Sequence, residues 1–218
     1  MRFPRLLLLG LLLAPWLRGA SEPGISLSDP ADLGPWRPLI EALASKGGVR
    51  ASFTERRYFS IRKDPTVLKG VIRLSPDLGL SLEYIAPDPM ILIVDPSGLL
   101  IRDGKGRDRQ IPAGSRETGA LASLLPVMRF DVAALAPHFD VLASGDPSDW
   151  SFTFTPSDDS VARTLGTIVV HGRATEVTRI ELRRSATQRI EIEVGETMAG
   201  VAFTPAEARQ FFRRSGVR

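Results

Sequence analysis

The chain has 218 residues, of which 43% are hydrophobic and 24% charged, with 28 Lys and Arg against 25 Asp and Glu and no Cys. This composition excludes a disordered chain, and the lack of thiols excludes disulfides, thiolate chemistry and Cys-ligated metal. The formal net charge of +3 would suit a nucleic-acid binder, but that excess belongs to the N-terminus.

Met1–Ala20 reads as a secretory leader. Arg2 and Arg5 make a basic start, Leu6–Ala14 is apolar apart from Gly10, and Arg18-Gly19-Ala20 offers a cleavage region. The apolar run falls short of the roughly 20 residues a spanning helix needs. Arg2, Arg5 and Arg18 leave with the leader, so 25 basic residues face 25 acidic ones in the mature chain. A neutral mature chain has no general basic field for nucleic acid.

Ser21–Pro35 is rich in Ser, Pro, Gly and Asp and reads as a flexible lead-in to a single domain over residues 36–218. Trp36, Leu39, Ile40 and Leu43 fall on one face of a helix predicted over Trp36–Ser45, which Gly47-Gly48 stops. Val49–Ile61 is a predicted strand in which Val49, Ala51 and Phe53 alternate with Arg50, Ser52 and Thr54. Its Glu55-Arg56-Arg57 run reads as a solvated strand face, with a head-group or partner contact as the other reading.

Val67–Arg102 is four apolar runs separated by Ser75-Pro76-Asp77, Ala86-Pro87-Asp88-Pro89 and Asp95-Pro96-Ser97-Gly98, the pattern of an antiparallel meander. Leu80, Leu82 and Tyr84 point to one side of it, and Ser81 and Glu83 to the other. Asp103-Gly104-Lys105-Gly106 is a hairpin turn without the spacing of a phosphate loop. Short helices are predicted over Glu117–Leu125 and from Asp131. Further strands are predicted over Phe139–Ala143, Trp150–Thr155, Thr167–His171, Val177–Arg183 and Arg189–Val194. Thr204-Pro205-Ala206-Glu207 is a capping box that opens a C-terminal helix. The fold class is α+β, a large antiparallel sheet with short helices gathered on one face.

The polar residues suggest no catalytic site. His138 and His171 lie on separate segments with no ligand-spaced partner, so neither metal nor cofactor is expected. Asp158-Asp159 reads as a solvated turn and Gly114-Ser115-Arg116-Glu117 is not a nucleophile elbow. A binding protein, not an enzyme, is the expectation.

The order of these pieces resembles the LolA-like periplasmic lipoprotein carrier family. The likeness is carried by Ala51-Ser52-Phe53-Thr54-Glu55, by Gly70-Val71-Ile72-Arg73-Leu74-Ser75-Pro76, and by the run from Pro87-Asp88-Pro89 through Ile91-Leu92-Ile93-Val94-Asp95. It extends over roughly Leu39–Ala202. The resemblance implies a half-open β-barrel, a curved antiparallel sheet with a lid of short helices. It also implies a monomeric carrier whose concave face holds acyl chains of a lipoprotein or other lipid on the way to the outer membrane. The partners it implies are an inner-membrane exporter and an outer-membrane acceptor. A lipid-sensing accessory module without net transfer is the other function it allows.

On this reading Phe53, Leu80, Leu82 and Tyr84 line the cavity, joined by Ile91 and Ile93, although Leu92 and Val94 are equally apolar and periodicity does not choose the face. Two features depart from the family. Ser75 stands where the family has an Arg associated with lid closure, and a helix replaces the extended C-terminal tail.

Overall fold

A computed structural model describes residues 24–112 and 123–214, and its strands form one twelve-stranded antiparallel sheet. In chain order they are β1 (Ile25–Ser26), β2 (Val49–Tyr58), β3 (Thr66–Ser75), β4 (Gly79–Ala86), β5 (Met90–Asp95), β6 (Gly98–Asp103) and β7 (Asp108–Pro112). β8 (Phe139–Asp146), β9 (Asp149–Pro156), β10 (Thr167–Arg173), β11 (Glu176–Arg183) and β12 (Arg189–Ala199) follow. Their spatial order is β1-β8-β9-β10-β11-β12-β2-β3-β4-β5-β6-β7, so two meanders join where β12 pairs with β2. The edge strands β1 and β7 do not pair with each other, and the curved sheet stays open.

The expected leader lies outside the described residues, as does most of the helix predicted over Glu117–Leu125. The expected flexible lead-in is, in its described part, a folded element. Ile25 and Ser26 pair with Ala143 and Leu142, and Leu27 and Leu33 are buried. Two apolar anchors held by an edge pairing outweigh the turn-forming composition that suggested flexibility.

The pairing register fixes which side chains share a face, because strand side chains alternate. On the concave face Val49, Ala51 and Phe53 of β2 sit beside Leu74, Ile72 and Gly70 of β3, and then beside Leu80, Leu82 and Tyr84 of β4. Leu80, Leu82 and Tyr84 in turn pair with Val94, Leu92 and Met90. Ile91 and Ile93 pair with Glu83 and Ser81, so they belong to the convex face. This corrects the expectation for both isoleucines. The Ala86–Pro89 connection sets the register so that the even-numbered residues of β5 turn inward, a choice that a uniformly apolar run hides.

Two apolar clusters cover the concave face. One joins Phe139, Val141, Trp150, Phe152, Phe154, Ile168 and Val170 to buried helix residues. The other gathers Phe53, Leu68, Ile72, Leu80, Tyr84, Val94 and Leu99. Each contains an aromatic ring laid over a glycine of the neighbouring strand. A Cβ at Gly70 would come within 2.7 Å of the Phe53 ring, and one at Gly172 within 2.2 Å of the Trp150 ring. Neither site has room for a side chain.

The helices divide between the two faces. A 3₁₀ turn (Gly34–Trp36) leads into α1 (Arg37–Ala44), whose Leu39, Ile40 and Leu43 are buried with Trp36 in the first cluster. The Trp36 ring meets Phe152 edge-on at 5.5 Å. α2 (Leu124–Arg129) and α3 (Val132–Leu135) continue the concave layer. Between them Phe130 adopts a left-handed φ of 52°, a conformation costing roughly 1–2 kcal/mol. Edge contacts of its ring with Trp150 and Phe152 at 6.0 and 6.1 Å, and the Asp131 cap on Ala134 N, hold it there. α4 (Asp159–Leu165) is capped by Asp158, so the expected acidic turn is a helix start.

α5 (Pro205–Phe211) carries the predicted capping box and lies on the convex face. The Arg73 guanidinium sits 3.5 Å from the centre of the Phe211 ring. Arg102 donates to the carbonyls of Gln210 and Phe212 at the end of α5 and pairs with Asp108 at 2.7 Å. Arg213 closes the same corner on Asp95, and Arg50 pairs with Glu207. Ser81, Ile93 and Leu100 on this face are buried, as is Phe212. The meander is therefore covered on both sides.

Candidate functional site: an apolar cavity under the helical layer

A cavity of about 490 Å³ lies at the seam between the two clusters. Its floor is Val49 and Ala51 of β2, Ile72 and Leu74 of β3, and Val170, Val177, Ile180, Val194 and Thr197 from β10 to β12. Its roof is Leu33, Ile40, Leu43 and Ala44 on one side and Val127, Met128, Phe130 and Val132 on the other. The walls explain the space. Where the flanking clusters carry Phe, Trp and Leu, the seam carries Ala51, Ala44, Val49, Val194 and Gly47, whose short side chains do not span the gap between sheet and helices. The volume lies within the ~300–1,000 Å³ usual for ligand sites. At ~30 Å³ per water-sized group it holds on the order of sixteen such groups, the bulk of one long acyl chain.

None of the six expected lining residues forms this wall. Phe53, Leu80, Leu82 and Tyr84 share the concave face with it but pack into the second cluster, with Phe53 and Tyr84 edge-on at 5.4 Å. Ile91 and Ile93 are on the other face. The strand positions that do form the floor include Val49 and Ala51, two residues whose alternation with Phe53 is plain in the sequence. Which end of the alternating row stays uncovered depends on where the helices rest.

The charged run on β2 is also placed by the fold. Glu55 is only 1% exposed and turns into the concave side. There it accepts from Arg57 and from the Tyr84 hydroxyl, the latter at 2.8 Å. Burial, reinforced by the Glu55 charge, pushes the Tyr84 hydroxyl pKa up. Arg56 faces outward to Glu193 at 2.8 Å. The run is neither a uniform solvated face nor part of the cavity.

The cations of the cavity wall, Lys46 and Arg129, sit at its rim where the roof helices end. Lys46, just after α1, donates to the Thr175 carbonyl in the β10–β11 turn. Burial lowers the Lys46 pKa, against a weaker upward pull from Glu176. Arg129, at the end of α2, donates to the carbonyls of Ser75 at 3.1 Å and Pro76 at 2.7 Å in the β3–β4 turn. One cation thus ties each side of the helical layer to a turn at the end of the sheet. Among the described residues no group of His, Cys, Asp and Glu could hold a metal, and no helix is long and apolar enough to cross a membrane.

The protein is thus an open antiparallel sheet with an apolar cavity between its concave face and a layer of short helices. The family sequence model described as "Outer membrane lipoprotein carrier protein LolA-like" matches residues 36–212, and the chain belongs to that family. Among curated proteins no sequence match is found.

Solved structures with a similar chain trace include a LolA superfamily protein from Nitrosomonas europaea, 8% identical, covering 84% of this chain and 100% of its own at a TM-score of 0.46. A putative outer membrane lipoprotein-sorting protein domain from Vibrio parahaemolyticus is 8% identical, with 80% and 94% covered and a TM-score of 0.44. MucB in its complex with MucA from Pseudomonas aeruginosa is 14% identical, with 78% and 58% covered and a TM-score of 0.41.

Proposed function

We propose that this protein is a periplasmic carrier that takes acyl chains of a lipoprotein or another lipid into the seam cavity and shuttles them toward the outer membrane. Met1–Ala20 directs export, and residues 36–218 form one lipid-binding domain that acts as a monomer between an inner-membrane exporter and an outer-membrane acceptor. The observation that carries this reading is an apolar cavity the size of an acyl chain, roofed by helices, in a member of the LolA-like family.

The physics requires no catalysis. Each methylene removed from water contributes about 0.8 kcal/mol, so a long chain in the cavity is held by on the order of 10 kcal/mol relative to water. A bilayer offers the same chain a comparable environment. Loading and unloading therefore exchange nearly equal states, and small changes in the helical roof set the direction.

Native mass spectrometry of the mature protein purified from the periplasm tests the cavity, with lipid recovery expected. A transfer assay between donor and acceptor vesicles tests carriage. Binding without net transfer would turn the assignment to a lipid-sensing accessory module. Absence of lipid together with no uptake of a fluorescent fatty acid would overturn both.

A further inference from the structure

We propose that the rim of the cavity selects lipids with an anionic oxygen head group, a carboxylate or phosphate, through Lys46 and Arg129. The inference rests on the carrier reading and adds the chemistry of the cargo's polar end.

Two observations carry it. First, Lys46 and Arg129 are the cations of an otherwise largely apolar wall, and neither makes an ion pair among the described residues. Part-buried Arg residues elsewhere among the described residues do have carboxylate partners, as Arg57 has Glu55, Arg73 has Glu83 and Arg102 has Asp108. Lys46 and Arg129 instead rest on neutral backbone carbonyls.

The second observation is that Arg129 Nε is buried with no acceptor among the described residues. An unpaired buried donor is costly, and on a charged group more so. A ligand oxygen at the rim would satisfy it.

The carboxylates at hand form no ion pair with either cation. Asp131 lines the same cavity, but its Oδ1 accepts from Ala134 N at 3.0 Å as the cap of α3. Glu176 is close enough to influence Lys46 but does not form an ion pair with it. An anionic oxygen placed at the mouth, with its chain in the seam, would exchange bonds to neutral carbonyls for bonds in which donor and acceptor are both charged, shorter and stronger than those they replace. Zwitterionic or neutral head groups gain less.

Displacement of an environment-sensitive dye from the mature protein tests this with four probes of equal acyl length: a fatty acid, its alcohol, a lysophosphatidic acid and a fatty amine. Both anions are expected to bind about tenfold or more tightly than the alcohol. The amine should bind worst. The ratio between fatty acid and lysophosphatidic acid separates carboxylate from phosphate as the better-fitting source.

The Lys46→Gln/Arg129→Gln double variant should abolish the anion preference, read as the ratio of fatty-acid to alcohol affinity, so that a looser roof that weakens both probes alike does not alter the readout. Arg129→Lys should keep part of the preference and reports on charge if Arg129→Gln proves unstable. Equal binding of acid and alcohol, or a preference surviving in the folded double variant, overturns the head-group proposal and leaves the cavity reading standing. No binding of any probe removes both.

Discussion

The side chain of Arg129 spans from the end of α2 to the β3–β4 turn, where one of its nitrogens donates to the carbonyls of both Ser75 and Pro76. The resemblance of the sequence to its family implied a cation on the strand side of this connection. Here Ser75 contributes its backbone oxygen and the cation comes from the helical roof. The Ser75 hydroxyl meanwhile accepts from Leu78 N at 3.2 Å and shapes the turn that presents those carbonyls.

Replacing Arg129 by Met keeps most of the apolar stem and removes the donors. The α2–α3 segment should then separate more often from the sheet. Hydrogen exchange at residues 124–135 should rise, and stability to urea should fall by about 1–2 kcal/mol. Unchanged exchange there would mean that apolar packing alone holds the roof.

The seam and the second cluster can be told apart by opposite substitutions. Ala51→Phe puts a ring into open space, so lipid uptake should fall sharply while the melting temperature holds or rises. Leu80→Ala removes a fully packed side chain, so stability should drop by about 2–5 kcal/mol with uptake per folded molecule retained. Uptake assays paired with thermal melts check both. The reverse pattern would move the binding site to the meander.

The C-terminal helix should behave as a structural clamp. Phe212→Ala is expected to cost about 3–5 kcal/mol, because the ring is fully buried on the convex face. Thr204→Ala removes the capping box and should cost about 1 kcal/mol. Denaturant titration, with proteolysis near residues 204–214, reads both. If α5 can be removed with no loss of stability, its contacts with Arg73 and Arg102 are incidental.

The convex face also contains a titrating centre. His171 lies 3.2 Å from Glu181, which also pairs with Arg179 at 2.9 Å and Arg183 at 2.6 Å, while Ser151 pairs with His171 from β9. Burial and then Arg179 lower the His171 pKa, outweighing Glu181. The folded state therefore favours neutral imidazole. That contribution is fully present above the ordinary value of 6.5 and is lost as pH falls through the lower folded value. His171→Gln should flatten the stability profile between neutral and mildly acidic pH, by a small amount because the site is part-exposed and screened. A variant with the same slope as the parent would assign the acid sensitivity to other groups.

Local patterning determined much of this protein. The alternation of Val49, Ala51 and Phe53, the proline-marked breaks of the meander, the helical stripe of Trp36, Leu39, Ile40 and Leu43, and the Thr204 capping box all follow from short-range stereochemistry and reappear as built. The order of those pieces carried the resemblance to the family whose sequence model matches residues 36–212. Tertiary structure decided the rest.

Ile91 and Ile93 turn outward because register is fixed across strands, and an unbroken apolar run carries no record of its face. Glu55 goes inside because Arg57 and Tyr84 satisfy it there. The cavity lies at Ala51, not at Leu80, because the empty space depends on the combined reach of side chains from five strands and three helices. Lys46 and Arg129, far apart in the chain, become rim cations only once the helices rest on the sheet.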